Sequence, residues 1–274
     1  TDRGCIEAPH LTKHGDYYYI MCAEGGTGYY HCVTMGRSKN ILGPYEADPN
    51  GPVVTSCPGD VNERADWDHL KPRYYNSDSC LQKSGHASYV DLPNGETWLV
   101  HHCARPFVTD DGNERTRYRC TLGRETAVQR MKWTEDGWLR MADGGNLAQE
   151  YVEESALPEV RAVELTEKDD FDSKSLGLGY YAPRIDPASF TDLESRPGWL
   201  RMRGQESGCS LNKTSILARK LTSLNVEVET KMDFTPLSYQ HTAGLIVYYD
   251  NMNFIYLYKY YSETLKHAAL SVMQ

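Results

Sequence analysis

The 274-residue chain is poor in several things that would have directed it elsewhere. It has no long apolar run. None approaches the ~20 residues a spanning helix needs. It has no basic cluster of more than three residues, and its net charge is −9. That balance argues against nucleic acid and against anionic membrane surfaces as partners. Its eight cysteines include no CxxC pair, so zinc-finger spacing is absent and a structural metal cluster is not expected. Cys22, Cys32 and Cys103 sit in apolar strand patterns and read as small buried hydrophobes, which favours a reducing compartment without excluding disulfides. No long stretch carries helical periodicity, and no signal peptide precedes the first motif. Phenylalanine is scarce, 5 residues against 20 tyrosines. Strand propensity alone explains that skew; sugar-stacking surfaces are the other reading.

What is present is period-2 alternation broken by turn residues, the pattern of an all-β protein. Strands are expected at 17–22, 29–37, 86–90, 97–103, 127–133 and 138–141, with turns at Pro93-Asn94-Gly95 and Glu135-Asp136-Gly137. Segment 43–84 is rich in Pro, Asp, Asn and Ser and reads as a long surface excursion. Residues 1–158 form one unit, 159–168 a polar linker, and 169–274 a second all-β unit. In the latter, Leu224-Val226-Val228 alternates with polar residues as a half-exposed antiparallel strand, and 244–249 with 254–258 forms a hairpin.

Two segments of the first unit repeat. Glu7-Ala8-Pro9-His10-Leu11 followed by strand 17–22 aligns with His86-Ala87-Ser88-Tyr89-Val90 followed by strand 97–103. A repeat of about 80 residues suits propeller blades, whose first strands line a central axis. The alignment puts Glu7 and His86 at equivalent axial places, able to converge on one pocket. Glu7 in a partly dry funnel would be a carboxylic acid suited to proton donation; an ordinary polar strand start is the plainer reading. His86 suits a metal or a substrate hydroxyl, against a satisfied core histidine. Arg124, entering a strand after Gly123, could hold sugar hydroxyls with its planar fork, against a surface arginine. Ala23-Glu24-Gly25-Gly26-Thr27-Gly28 lacks phosphate-loop spacing and reads as a blade turn carrying backbone toward the pocket.

In order, Ile6-Glu7-Ala8-Pro9-His10-Leu11, Ala23-Glu24-Gly25-Gly26-Thr27, Gly36-Arg37-Ser38-Lys39, Gly43-Pro44-Tyr45-Glu46, Gly85-His86-Ala87-Ser88, Ala104-Arg105-Pro106 and Leu122-Gly123-Arg124-Glu125-Thr126-Ala127 resemble the second half of a glycoside hydrolase family 43 catalytic domain of the β-xylosidase and α-L-arabinofuranosidase type. Asp169-Asp170-Phe171-Asp172, Arg196-Pro197-Gly198-Trp199-Leu200 and Gln240-His241-Thr242-Ala243-Gly244 resemble the concanavalin A-like β-sandwich that follows it. The resemblance implies part of a five-bladed propeller, then part of that sandwich. It implies an inverting mechanism releasing terminal xylose, or arabinose, from xylo-oligosaccharides. Glu7 matches the general acid, His86 the axial histidine beside substrate and, through water, beside a calcium ion, and Arg124 a sugar-binding arginine. No organic cofactor is implied. The general base and the aspartate that tunes the acid are expected upstream of Thr1, and a homo-oligomer of the full-length enzyme stays open. A non-catalytic carbohydrate-binding propeller–sandwich is the competing expectation. A structural fragment with no independent function is a third expectation: missing blades leave strand edges and apolar faces unpaired, so this chain alone is expected to be inactive and poorly soluble.

Overall fold

A computed structural model describes residues 3–57, 74–108, 118–153, 155–160 and 166–274. It divides into two compact units, Thr1–Val160 and Arg161–Gln274. Both are β structures. The one helical element described is a single 3₁₀ turn, Pro187–Ser189, capped by the Asp186 side chain. No described helix is long and apolar enough to cross a membrane.

The first unit holds two antiparallel sheets. In one, β1 (Glu7–His14), β2 (Tyr17–Glu24), β3 (Cys32–Ser38) and β4 (Glu46–Ala47) run in order, and β5 (Val54–Thr55) pairs with the other end of β3. In the second, β6 (Gln82–Asp91), β7 (Thr97–Ala104), β8 (Glu125–Trp133) and β9 (Leu139–Met141) also run in order. Each is a meander with its first strand in sequence at one edge, the arrangement of a propeller blade. Period-2 side-chain alternation puts Tyr19, Met21 and Ala23 of β2 and Leu99, His101 and Cys103 of β7 inside. Of these, Tyr19, Met21, Leu99 and Cys103 join Val33, Met35, Met131, Trp138, Leu139 and Met141 in one apolar core between the two sheets.

Tyrosine does more here than satisfy strand propensity. The Tyr19 hydroxyl donates to the Gly137 carbonyl at 2.5 Å, and the Tyr89 hydroxyl pairs with Thr12 Oγ1. Each bond joins one sheet to the other, something phenylalanine could not do. At the outer end His14 stacks on Trp133, ring centroids 3.8 Å apart, and its Nδ1 lies 3.2 Å from Asp91 Oδ2. Burial would raise the Asp91 carboxyl, but hydrogen bonds from Thr97, Trp133 and His14 outweigh it and hold the group below the usual range. A carboxylate lowered in this way stabilises the fold above its unfolded pKa, and that contribution is lost as pH falls through the folded value. Asp91→Asn is therefore expected to cost about 1 kcal/mol at pH 7, after solvent screening of this half-exposed cluster, and little at pH 3. Urea unfolding of both proteins at the two pH values measures it.

β3 begins at Cys32, not Tyr29, because His31 still closes a turn onto the Gly28 carbonyl. β6 begins at Gln82, four residues before the expected start; two bulges break its alternation and hide the beginning of the strand. Segment 43–84 is not simply a surface excursion: Val53, Val54, Ser56 and Cys57 are buried, as are Leu81, Gln82 and Ser84, while 58–73 lies outside the described residues. All eight cysteines are free; Cys32 and Cys103 are buried, whereas Cys22 is only half-buried.

In the second unit β10 (Thr191–Asp192) pairs with β11 (Arg201–Met202), and β12 (Ala243–Asp250), β13 (Asn253–Ser262) and β14 (His267–Met273) form an antiparallel sheet. The expected hairpin is β12–β13. Residues 224–229 alternate as expected but form no strand, and their side chains are exposed. Alternation selects a face; a strand also needs a neighbour's ladder, and no described residue pairs with this segment. Of the expected linker, 161–165 lies outside the described residues.

Candidate active site

Glu7 opens β1 opposite Ala23 of β2; the next paired residues are His10 and Met21. Three steps on one strand against two on the other make a bulge. The extra residue is absorbed at Ala8, whose φ is +50°. β6 bulges in the same way between Gly85, opposite His102, and Ser88, opposite Val100, with φ +50° at His86. The structural equivalence therefore sets Glu7 against Gly85 and Ala8 against His86. The sequence alignment that equated Glu7 with His86 is one residue out of register. The two side chains nevertheless meet, Glu7 Oε1 lying 3.9 Å from His86 Nδ1. The left-handed residue in each bulge re-aims its strand so that functional groups one position apart converge.

Among the described residues the acid is not enclosed: the Glu7 side chain is 52% exposed and that of His86 41%. His102, from β7, stacks on His86, centroids 5.3 Å apart and planes 19° from parallel. Arg124 lies at the entrance to β8 and donates from its guanidinium to the Thr27 carbonyl at 3.0 Å. The Gly-rich turn thus does bring backbone to this region, and it fixes an arginine of the neighbouring blade. The charge of Arg124 reaches the histidines: burial chiefly lowers the His102 pKa, with His86 and Arg124 lowering it further.

Below these groups lies His31, in the turn before β3. It is 1% exposed. Its Nδ1 sits 3.1 Å from the Lys83 carbonyl, and its Nε2 is buried without a partner. A carbonyl only accepts, so Nδ1 carries the proton and Nε2 presents a lone pair. Burial pushes its pKa down to about 4; the Lys83 bond opposes this, and Arg124, His86 and His102 add to it. His31 is neutral at pH 7.

Neither His31 nor His102 was singled out from the sequence. His102 had a usable signal, being the outward member of the His101-His102 doublet in a strand whose other face is buried. His31 had none, since Tyr29-Tyr30-His31-Cys32 reads as one apolar run.

Among the described residues no group of three or more His, Cys, Asp or Glu could hold a metal ion. Glu7 is the described carboxylate that lies against His86, and calcium prefers oxygen donors to imidazole.

Residues 1–139 match the family described as Glycosyl hydrolases family 43, and residues 168–274 match the Beta xylosidase C-terminal Concanavalin A-like domain. The chain is 36% identical over 271 residues to a beta-xylosidase of Bacillus subtilis strain 168, covering 97% of this chain and 47% of that protein. It is 35% identical over 250 residues to a non-reducing end alpha-L-arabinofuranosidase of Bacteroides ovatus, covering 90% and 42%. The crystal structure of a xylan beta-1,4-xylosidase from Bacillus halodurans C-125 superposes with a TM-score of 0.86 at 43% identity, covering 100% of this chain and 48% of that one. The chain spans about half the length of the curated relatives it matches. Its two meanders are blades of a five-bladed propeller, and its second unit is part of a concanavalin A-like sandwich. The chain belongs to glycosyl hydrolase family 43.

Proposed function

We propose that the complete enzyme containing this chain is an inverting exo-glycosidase that removes terminal xylose from xylo-oligosaccharides. One observation carries the reading: in a family 43 chain, a carboxyl group at the head of a blade strand faces a histidine of the next blade at 3.9 Å. Glu7 is the proton donor to the departing glycosidic oxygen. Its half-exposure leaves room for a sugar, whose binding would supply the desolvation that the described residues do not. His86 is placed to hydrogen-bond either the acid or a sugar hydroxyl, and His102 fixes the plane of its ring. The Arg124 guanidinium has five N–H donors; the one bonded to Thr27 sets its orientation, and the others are available to sugar hydroxyls. Inversion also needs a second carboxylate, which activates water across the ring. The described residues place none opposite Glu7, and we assign it to the half of the relatives' length that this chain does not span.

Arabinose is a second reading, favoured by the similarity to the Bacteroides ovatus arabinofuranosidase. Proton NMR of the complete enzyme acting on xylobiose and on aryl α-L-arabinofuranoside tests both. The expected first product from xylobiose is xylose with the α configuration at its new reducing end. The β configuration at that new reducing end would overturn the inverting mechanism; hydrolysis of the arabinoside alone would overturn the xylose assignment; no hydrolysis of either would leave sugar binding as the function.

A further inference from the structure

Gly85 is the point where β6 lies closest to the layer beneath. Its φ does not require glycine; the space does. A Cβ there would stand 2.4 Å from carbon atoms of the His31 ring, a distance no such contact adopts. The ring therefore occupies the volume a side chain at 85 would fill. The strand is held on both sides of this contact. At Lys83, φ is +57° and the carbonyl accepts from His31 Nδ1; at His86, φ is +50° and the side chain faces Glu7. Left-handed conformations in a lysine and a histidine are unfavourable and persist only where surrounding structure imposes them. The bulges at these two residues straddle the one glycine that rests on the imidazole.

We propose that His31 is a positioning residue for the proton donor, clamping the double bulge of β6 from below so that His86 is aimed at Glu7. The inference rests on the glycosidase reading of Glu7. It explains why a histidine, and not another ring, stands at a fully buried position. The contact with Gly85 needs only a flat side chain, whereas the Lys83 carbonyl needs a donor at the Nδ1 position. Burial keeps the ring neutral, so that Nδ1 donates to the Lys83 carbonyl while Nε2, buried and without a partner, lies on the part of the ring that faces Gly85.

His31→Asn and His31→Leu in the complete enzyme test this. The two side chains have nearly the same shape and leave the same cavity, but only asparagine can donate to Lys83. His31→Leu is expected to lower kcat on xylobiose by about 10- to 100-fold, the scale of a misplacement of about 1 Å at a reacting group. KM should change little. On 2,4-dinitrophenyl β-xyloside, whose leaving group needs little protonation, the loss should be under about threefold. His31→Asn should restore both. Equal losses on the two substrates, or equal behaviour of the two variants, overturns the proposal. If His31→Leu does not fold, His31→Asn alone decides: its retained donor predicts kinetics close to wild type, and a selective loss on xylobiose overturns it. A crystal structure of His31→Leu provides a readout independent of turnover. Lys83 and His86 should leave the left-handed region and the Glu7–His86 separation should widen. An unchanged bulge and separation overturns the clamp even if the wild-type enzyme proves to act on another substrate.

Discussion

Replacing Glu7 with alanine in the complete enzyme is expected to lower kcat on xylobiose by about 10²- to 10⁴-fold, the usual contribution of a positioned general acid. The departing group there is a sugar alkoxide, which cannot leave without a proton. On 2,4-dinitrophenyl β-xyloside the departing phenolate is stable by itself, and the same variant should keep most of its activity. The difference between the two substrates separates proton donation from binding and folding. A residue that only held the sugar would be missed equally by both. Equal losses on the two substrates would falsify the acid role of Glu7 and leave the carboxyl as a ligand for His86.

Acidification is expected to remove about 3 kcal/mol of stability from the first unit between pH 6.5 and pH 4, through His31. The sign follows from where the proton binds. The unfolded chain takes up a proton on this histidine as pH falls below 6.5, whereas the folded protein refuses it until about pH 4. The stabilisation is complete above the unfolded pKa and declines as pH falls toward the folded one. Burial is the largest cause, and the nearby cationic groups act in the same direction. Against a typical total of about 5–15 kcal/mol, such a loss is enough to bring the unit close to unfolding near pH 4. Buried His101, whose pKa is also lowered chiefly by burial, adds to the slope with the same sign. Urea unfolding at pH 7, 5.5 and 4, followed by tryptophan fluorescence of Trp98, Trp133 and Trp138, measures the effect. His31→Asn has no such titration, and its stability should vary with pH by correspondingly less. Parallel pH dependence in the two proteins would assign the acid lability elsewhere.

Most of the architecture was legible because strand-forming residues and turn residues are one-dimensional signals. Tyr17–Cys22 and Thr97–Cys103 are runs of strand-forming residues preceded by turns, and both lie in observed strands. The ordered motifs identified the family, since they report residues that a shared fold and chemistry require. Legibility failed where the backbone departs from period 2. The bulges of β6 hid its first four residues and displaced the Glu7–His86 alignment by one position. Residues 224–229 failed for the opposite reason: the pattern is right, but pairing is a property of two segments, and one segment cannot announce the absence of the other.

The sequence by itself determined an all-β chain of two units, its acidic character, and the three side chains Glu7, His86 and Arg124 on which the chemistry is proposed to rest. Residue type and order suffice for that, because strand propensity, turn chemistry and motif spacing are local. Only the tertiary structure decided that Glu7 and His86 face each other from non-equivalent positions, that His102 stacks below, that Arg124 is bound to the Gly-rich turn, and that His31 fills the space Gly85 leaves open. Each of these is a contact between blades more than fifty residues apart or between strands in register. Such contacts depend on where bulges shift the ladder and how closely two backbones approach, which no local pattern encodes.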